Sequence, residues 1–550
     1  MDWDRRELVV VFAILLIALF LRLQDIDRPL YGDEADWYKS ALIIVDGNQQ
    51  WQNTFIPDSP PLGKAIFVSF YSLDVKNVRY VPLLFAMASL VVAYLLAREY
   101  FGKPSALFGL AILAVSVYGV LGAQQVDRDG GMLAFTAMLT FYSYLKYAGS
   151  RDSGAGAGKR SGGWLLLTSL SFIASVLLRL NMVMLVVPIF ALEYVNGKNK
   201  TKKTGKAALW ALERLVPFAI AFAVALVLWL LLDSALGLPT MARTFDHYFS
   251  YATSANQDLT SRLLRTVVSA GRVIARLTAP LALALWFSAW WFWTRRKELG
   301  KEERNLLVVL FAWMGLGVLQ TLLVTQGNVP AYFASMFPAV ALVVGHFCAK
   351  ARPFGLAQLA AAAGAVLAYC ALLMQLDFNE VNLLLLPAAG LGAFVLAALY
   401  WLLDRNLARV TVVLVVMSLF ASAFMLTGFR TYDMLRSQAV ADASTYLNSV
   451  GAQKIAESQE RTLDLYASGG VVQYDAGKCV KMDGRPCGPE DSTFPAGFYV
   501  VDFPLRPLNL DPAIGARFRF NLFDKSGVEG CELARTYVVN EIVVSEFYKC

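Results

Sequence analysis

The sequence predicts a polytopic α-helical membrane protein of about 13 transmembrane helices, followed by a small extracytoplasmic α/β domain. Three observations carry that prediction. The 550-residue chain is 57% hydrophobic and only 17% charged, whereas soluble chains are about a quarter charged. Long apolar stretches recur from the N-terminus to about residue 428. Residues 431–550 are polar and mixed, and long enough for a small domain. The bilayer is therefore the main solvent of residues 1–430.

A membrane-crossing helix needs ~20 apolar residues, or somewhat fewer when short. That rule places spans near 8–24, 80–97, 105–123, 130–147, 163–179, 182–195, 212–233, 277–294, 306–325, 332–349, 356–376, 383–403 and 409–428. The first run lacks a small-residue cleavage site and reads as a retained span rather than a signal peptide.

Basic residues orient the bundle. Lys146, Arg151, Lys159 and Arg160 share one loop, and Lys198, Lys200, Lys202, Lys203 and Lys206 the next. Arg295, Arg296, Lys297, Lys301 and Arg304 fill a third, Lys350 and Arg352 a fourth, Arg405 and Arg409 a fifth. With all of them cytoplasmic, the positive-inside rule is met throughout. The net charge of +7 is then a topology signal, not a nucleic-acid footprint. Two histidines argue against a multi-His metal site.

The basic loops put the N-terminus inside, and an odd number of spans then puts residues 431–550 outside. There "GFYVVDF" and "TYVVNEIVVSEFY" read as strands. Cys479, Cys487, Cys531 and Cys550 lie in this region, where an oxidising exterior permits pairing. "CVKMDGRPC" can close a small loop, but connectivity stays open. Cys348 and Cys370 fall within spans and read as packing residues.

Two acidic segments meet the outer face. "YGDEADWY" carries Asp33, Glu34 and Asp36 directly after the first span, and "QQVDRDGGM" carries Asp127 and Asp129 on the next external loop. The first external loop, about 25–79, is far longer than a connection needs. Its apolar segment 64–73 is too short to span and reads as interfacial. Solvated carboxylates are the plain alternative. Their position at helix mouths, where an unpaired charge is costly, favours a cavity, a partner or an ion. Scattered oxygen ligands form no metal motif, so no metal ligand is assigned; a divalent cation on Glu34 or Asp127 stays open.

These residues resemble the GT-C class of integral-membrane glycosyltransferases. "YGDEADWY" with "SPPLGK" is similar to protein O-mannosyltransferases and to lipid A aminoarabinose transferases. "VDRDGGMLAF" resembles the second acidic motif of that group, and "LLRLNMVMLVVP" and "AYFASMFPAVALVVG" resemble later segments. The matches cover roughly residues 1–350. Ser59 stands where the relatives have His or Lys before Pro-Pro, and Asp36 where the lipid A branch can carry a basic residue. The loop 236–276 is too short for the large insertion of eukaryotic O-mannosyltransferases.

The resemblance implies a polyprenyl-phosphate-linked sugar donor, a protein or lipid acceptor, and transfer at the outer face of the cell membrane. An inverting transfer needs a general base for the acceptor hydroxyl. Asp33 takes that role by its place in the motif. Glu34 is its alternative, or it orients a neighbour. Asp129 positions the acceptor or shares the base role, with Asp127 second in its pair. The leaving phosphate needs cations or donors. Lys64, Arg179 and Tyr332 are the candidates; plain snorkelling is the alternative for Lys64 and Arg179.

One feature lies outside the resemblance. Arg262, Arg265, Arg272 and Arg276 fall on one arc of a helix at 100° per residue, opposite Leu264, Val267 and Ile274. They are expected to contact lipid phosphate or to anchor a surface helix. Two other functions compete with sugar transfer. A flippase of polyprenyl-linked glycans would want charged or broken helices near the midplane, often with a repeat. A non-catalytic assembly protein would use the external domain for partners.

Overall fold

The computed structural model describes residues 4–24, 26–28, 30, 34, 35, 37–39, 41, 60–69, 77–126, 131–152, 157–201, 203–237, 239–253, 279–323, 336–375, 385–458, 463, 470–475, 478, 479, 497–503, 506, 507, 531–539 and 542–550. Helix α1 (Arg5–Leu23) and the short α2 (Pro61–Ser69) precede α3 (Tyr80–Tyr100), α4 (Lys103–Val115), α5 (Val117–Gln124), α6 (Gly131–Asp152) and α7 (Ala157–Leu178). Then come α8 (Val186–Thr201), α9 (Thr204–Arg214), α10 (Val216–Leu236), α11 (Thr240–Thr253), α12 (Ala279–Arg295) and α13 (Lys301–Leu323). The last are α14 (Phe337–Cys348), α15 (Leu356–Gln375), α16 (Leu385–Leu403) and α17 (Leu407–Ser449). Among the described residues, 6 helical stretches are long and apolar enough to cross a membrane, from Tyr80–Tyr100 to Leu407–Phe424. The protein is a multi-pass membrane protein.

In its described part each expected span falls on a helix, with two local differences. The expected helix 105–123 is broken at Ser116, whose backbone is extended (φ −60°, ψ 133°). The Ser116 hydroxyl caps α5 by accepting the Gly119 N–H (3.1 Å). Fully buried Arg22, near the end of α1, donates to Ala114 O (2.8 Å) and Leu113 O (3.1 Å), two carbonyls freed by the break. The expected span 182–195 opens with a 3-10 turn, Leu180–Leu185, before α8.

Small and hydroxylated residues pack the bundle, as expected where lipid offers no hydrophobic drive between helices. Helices α4 and α14 cross at Gly109 and Gly345; a Cβ on Gly345 would lie 2.4 Å from the Gly109 nitrogen. Helices α6 and α7 are stitched by Thr140 to Ser171 and Thr168 to Ser143, each at 3.0 Å.

One face of the bundle is tied by buried and half-buried carboxylates. Glu7 accepts from Tyr94, Arg98 and Lys103. Lys146 pairs with Glu99, and Glu193 accepts from Tyr144 (2.6 Å) and Arg151 (3.1 Å). Glu303 meets His346 (2.6 Å), whose other ring nitrogen lies 2.9 Å from the Ser105 hydroxyl. These groups adjoin the basic loops. Helix α3 carries Arg98 at this face and begins, at its other end, beside Arg79. That opposite end holds the candidate site.

Helix α17 has 43 residues, about 65 Å at 1.5 Å per residue. It leaves the apolar bundle and continues without interruption, so the expected division at residue 430 falls inside one helix. Its far half buries Leu435, Ala439, Val440, Ala443 and Leu447 against Ile455, Val501, Phe503, Val544 and Phe547. The strands are β1 (Lys454–Ser458), β2 (Gly470–Asp475), β3 (Lys478–Cys479), β4 (Phe498–Asp502), β5 (Arg506–Pro507), β6 (Glu532–Val539) and β7 (Ile542–Lys549). They form a mixed sheet in the order β3-β2-β1-β4-β7-β5, with β6 also paired to β7. β1 runs parallel to β2 and β4, and β7 antiparallel to β4, β5 and β6. The two expected strand segments are β4 and the β6–β7 pair. A disulfide joins Cys531 to Cys550, and Cys348 and Cys370 are buried thiols. Cys487 lies outside the described residues.

Candidate functional site

The site is built around Glu34. Its side chain is buried where the chain has left α1. One oxygen accepts the Val126 N–H at 2.9 Å; the other meets Arg79 Nη2 at 2.6 Å. Arg28 stands 4.0 Å from the first oxygen. Arg79, fully buried just before α3, also donates to the carbonyls of Ile26 (3.5 Å) and Arg28. Nearby, Gln124 donates to the carbonyls of Arg22 (2.9 Å) and Gln24. Thus α1's exit, the acid-pair segment, the start of α3 and the end of α5 are held in one hydrogen-bonded knot.

This knot joins the two acidic segments. Glu34 follows Asp33 directly, and Val126 opens the VDRD run that carries Asp127 and ends at Asp129. Both Glu34 oxygens are engaged, which suits a carboxylate that orients the chain more than one that takes a proton. A carboxylate between two guanidinium groups and a backbone N–H also does not fit a metal ligand. Among the described residues no group of three or more His, Cys, Asp or Glu could hold a metal ion.

Two of the expected cations are buried on α2 and just after α7. Lys64 is fully buried on α2, with its ammonium 6.0 Å from the Trp37 ring centre. Gly63 explains the close approach: a Cβ there would fall 3.3 Å from Trp37 Cζ3 and 3.6 Å from Leu178 Cδ2. Leu178 ends α7, and Arg179 follows it, buried and extended (φ −157°, ψ 121°). Its N–H donates to Ser175 O (2.9 Å) and its carbonyl accepts the Met182 N–H (2.9 Å). Lys64 and Arg179 therefore flank one packed contact between α2 and α7. Segment 64–73, expected at the interface, is in its described part a helix packed onto α7. Lys39, two residues after Trp37, is also fully buried.

Asp33, Asp36, Asp127, Asp129, Tyr332, Arg262, Arg265, Arg272 and Arg276 lie outside the described residues. Sequence reasoning missed Arg79 and Arg22. Both carry the signal that singled out Arg179, a basic residue at the end of a span where the inside rule would not put it. Lys39 had no comparable signal.

The result is a multi-pass helical bundle with a buried ionic knot at one face and a mixed sheet after its last span. Residues 58–229 match the family described as dolichyl-phosphate-mannose-protein mannosyltransferase. Among solved structures, the chain is similar to ArnT from Cupriavidus metallidurans bound to undecaprenyl phosphate, with a TM-score of 0.58 and 17% identity over 98% of this chain and 97% of that one. The apo state of the same ArnT aligns over the same shares, with a TM-score of 0.57 and 16% identity. No curated protein matches the chain.

Proposed function

We propose that the protein transfers a sugar from a polyprenyl-phosphate-linked donor to a hydroxyl or phosphate group of an acceptor at the outer face of the membrane. The observation that carries this reading is Glu34, which links the Asp33 segment to the Asp129 segment beside buried cations. The family match over 58–229 and the ArnT fold support the same class of chemistry. The relative's bound undecaprenyl phosphate supports the donor class.

In this reading Asp33 accepts the proton of the acceptor hydroxyl, whose oxygen attacks the anomeric carbon. The bond from that carbon to the phosphate oxygen breaks, and polyprenyl phosphate leaves with inverted sugar stereochemistry. Lys64, Arg179 and Tyr332 meet the charge that develops on the phosphate. Asp129 positions the acceptor. Glu34 and Arg79 hold the two acidic segments in register. The Cys531–Cys550 disulfide suits an oxidising compartment and supports an extracytoplasmic C-terminal domain.

Purified protein incubated with a panel of labelled polyprenyl-phosphate sugars and membrane acceptors tests the proposal. One donor should yield labelled product, and Asp33→Asn should abolish it while donor binding persists. Normal turnover by Asp33→Asn would remove Asp33 from the mechanism.

A further inference from the structure

At the face opposite the candidate site, α8 and α9 fold back on one another. Gly197 admits the Trp210 ring: a Cβ there would fall 2.9 Å from Trp210 Cδ1. The Trp210 N–H donates to buried Glu193 (3.3 Å). Lys200 and Arg214 lie 4.9 Å and 4.5 Å from the ring centre. These contacts fix the roll of α9, with Ala207 and Ala211 turned inward and fully buried.

That roll leaves an apolar strip without a protein partner among the described residues. Leu209 is 60% and Leu212 56% exposed, and the strip continues into the next helix as Val216 and Ile220, 54% and 61% exposed. Helices α9 and α10 share one helical stretch, Thr204–Ala235, long and apolar enough to cross the bilayer, so its exposed face meets acyl chains. Lys206 lies about 60° around α9 from Leu209 at 100° per residue, at the edge of the strip. Lys198, Lys203 and Lys206 are all exposed.

We propose that α9 enters the membrane at the interface, as the first turns of that stretch, and that this end of it binds acidic phospholipid headgroups. Leu209 and Leu212 enter the acyl boundary, continuing the lipid-facing side of α10. Lys198, Lys203 and Lys206 form a basic rim at headgroup level, where anionic lipid attracts basic side chains. The occupant is the bilayer itself, selected by charge. The proposal stands apart from the sugar-transfer reading and involves none of its residues.

Two measurements on the full-length protein test it. Fluorophores on Leu209→Cys and Leu212→Cys, in phosphatidylcholine–phosphatidylglycerol nanodiscs, should be quenched by a bilayer-resident quencher and shielded from aqueous iodide. Native mass spectrometry should show phosphatidylglycerol retained in preference to phosphatidylcholine. Retention should fall with salt, and by roughly fivefold for each lysine lost at the headgroups in Lys198/Lys203/Lys206→Gln. The other basic loops keep that variant's orientation. Iodide-accessible labels, equal retention of the two lipids by the unsubstituted protein, or labels protected only through a second copy would each overturn the proposal. The salt titration uses the unsubstituted protein, so a poorly folding variant does not remove the test.

Discussion

Arg79 is the residue on which the candidate site turns. It neutralises Glu34 at 2.6 Å and holds the chain leaving α1. Removing one partner of a buried ion pair costs about 3–5 kcal/mol, because the other charge stays buried without it. Arg79→Ala should therefore lower the thermal unfolding midpoint in detergent and abolish transfer. An unchanged midpoint would show that the pair is not structural. Glu34→Gln keeps an acceptor for Val126 but loses the charge that balances Arg79. It should lower turnover more than donor affinity, in contrast to Lys64→Gln, which should weaken donor binding. Equal loss of both quantities in the two variants would contradict separate roles for the orienting carboxylate and the phosphate-binding cation. The Asp-Glu pair was legible as a motif. Its partner Arg79 was not, because it stands 45 positions away and only the fold brings them together.

At the scale of elements, close backbone contact holds the bundle. The crossing of α4 and α14 has no room for a side chain at Gly345. Gly345→Val should destabilise by about 1–3 kcal/mol or more, the range for overpacking a filled core. The yield of monodisperse protein after mild heating measures it; a yield equal to the unsubstituted protein would mean that the helices part easily. Hydropathy located this pair of helices because length and apolarity survive in composition. It missed the break at Ser116, since a serine between apolar runs does not disturb an apolar average. The compensating Arg22 is remote in sequence, so the cap could be seen only in three dimensions. The continuation of α17 past 430 was readable in part. Leu435, Ala439, Val440, Ala443 and Leu447 repeat at helical spacing, but the drop in hydropathy at the end of the span drew attention to a boundary instead.

For the whole molecule, the carboxylate ties and basic loops gather at one face and the Glu34 knot lies at the other. By the positive-inside rule the first face is expected to be cytoplasmic. A C-terminal tag should then react with an impermeant label in intact cells; a tag reached only after permeabilisation would invert the topology and put the site on the wrong side for an external acceptor. The fold class was legible because alternating apolar runs and basic loops record how a chain crosses a bilayer. The site's chemistry was legible only where charge stands against that pattern. The central claim is transfer rather than translocation of a lipid-linked sugar. Proteoliposomes containing the protein, a labelled polyprenyl-phosphate sugar and an acceptor separate the two directly. The account predicts labelled acceptor and free polyprenyl phosphate in equal amounts, with neither formed by Asp33→Asn. Intact donor moved to the opposite leaflet, with no labelled acceptor and no loss in Asp33→Asn, would contradict it and identify a flippase.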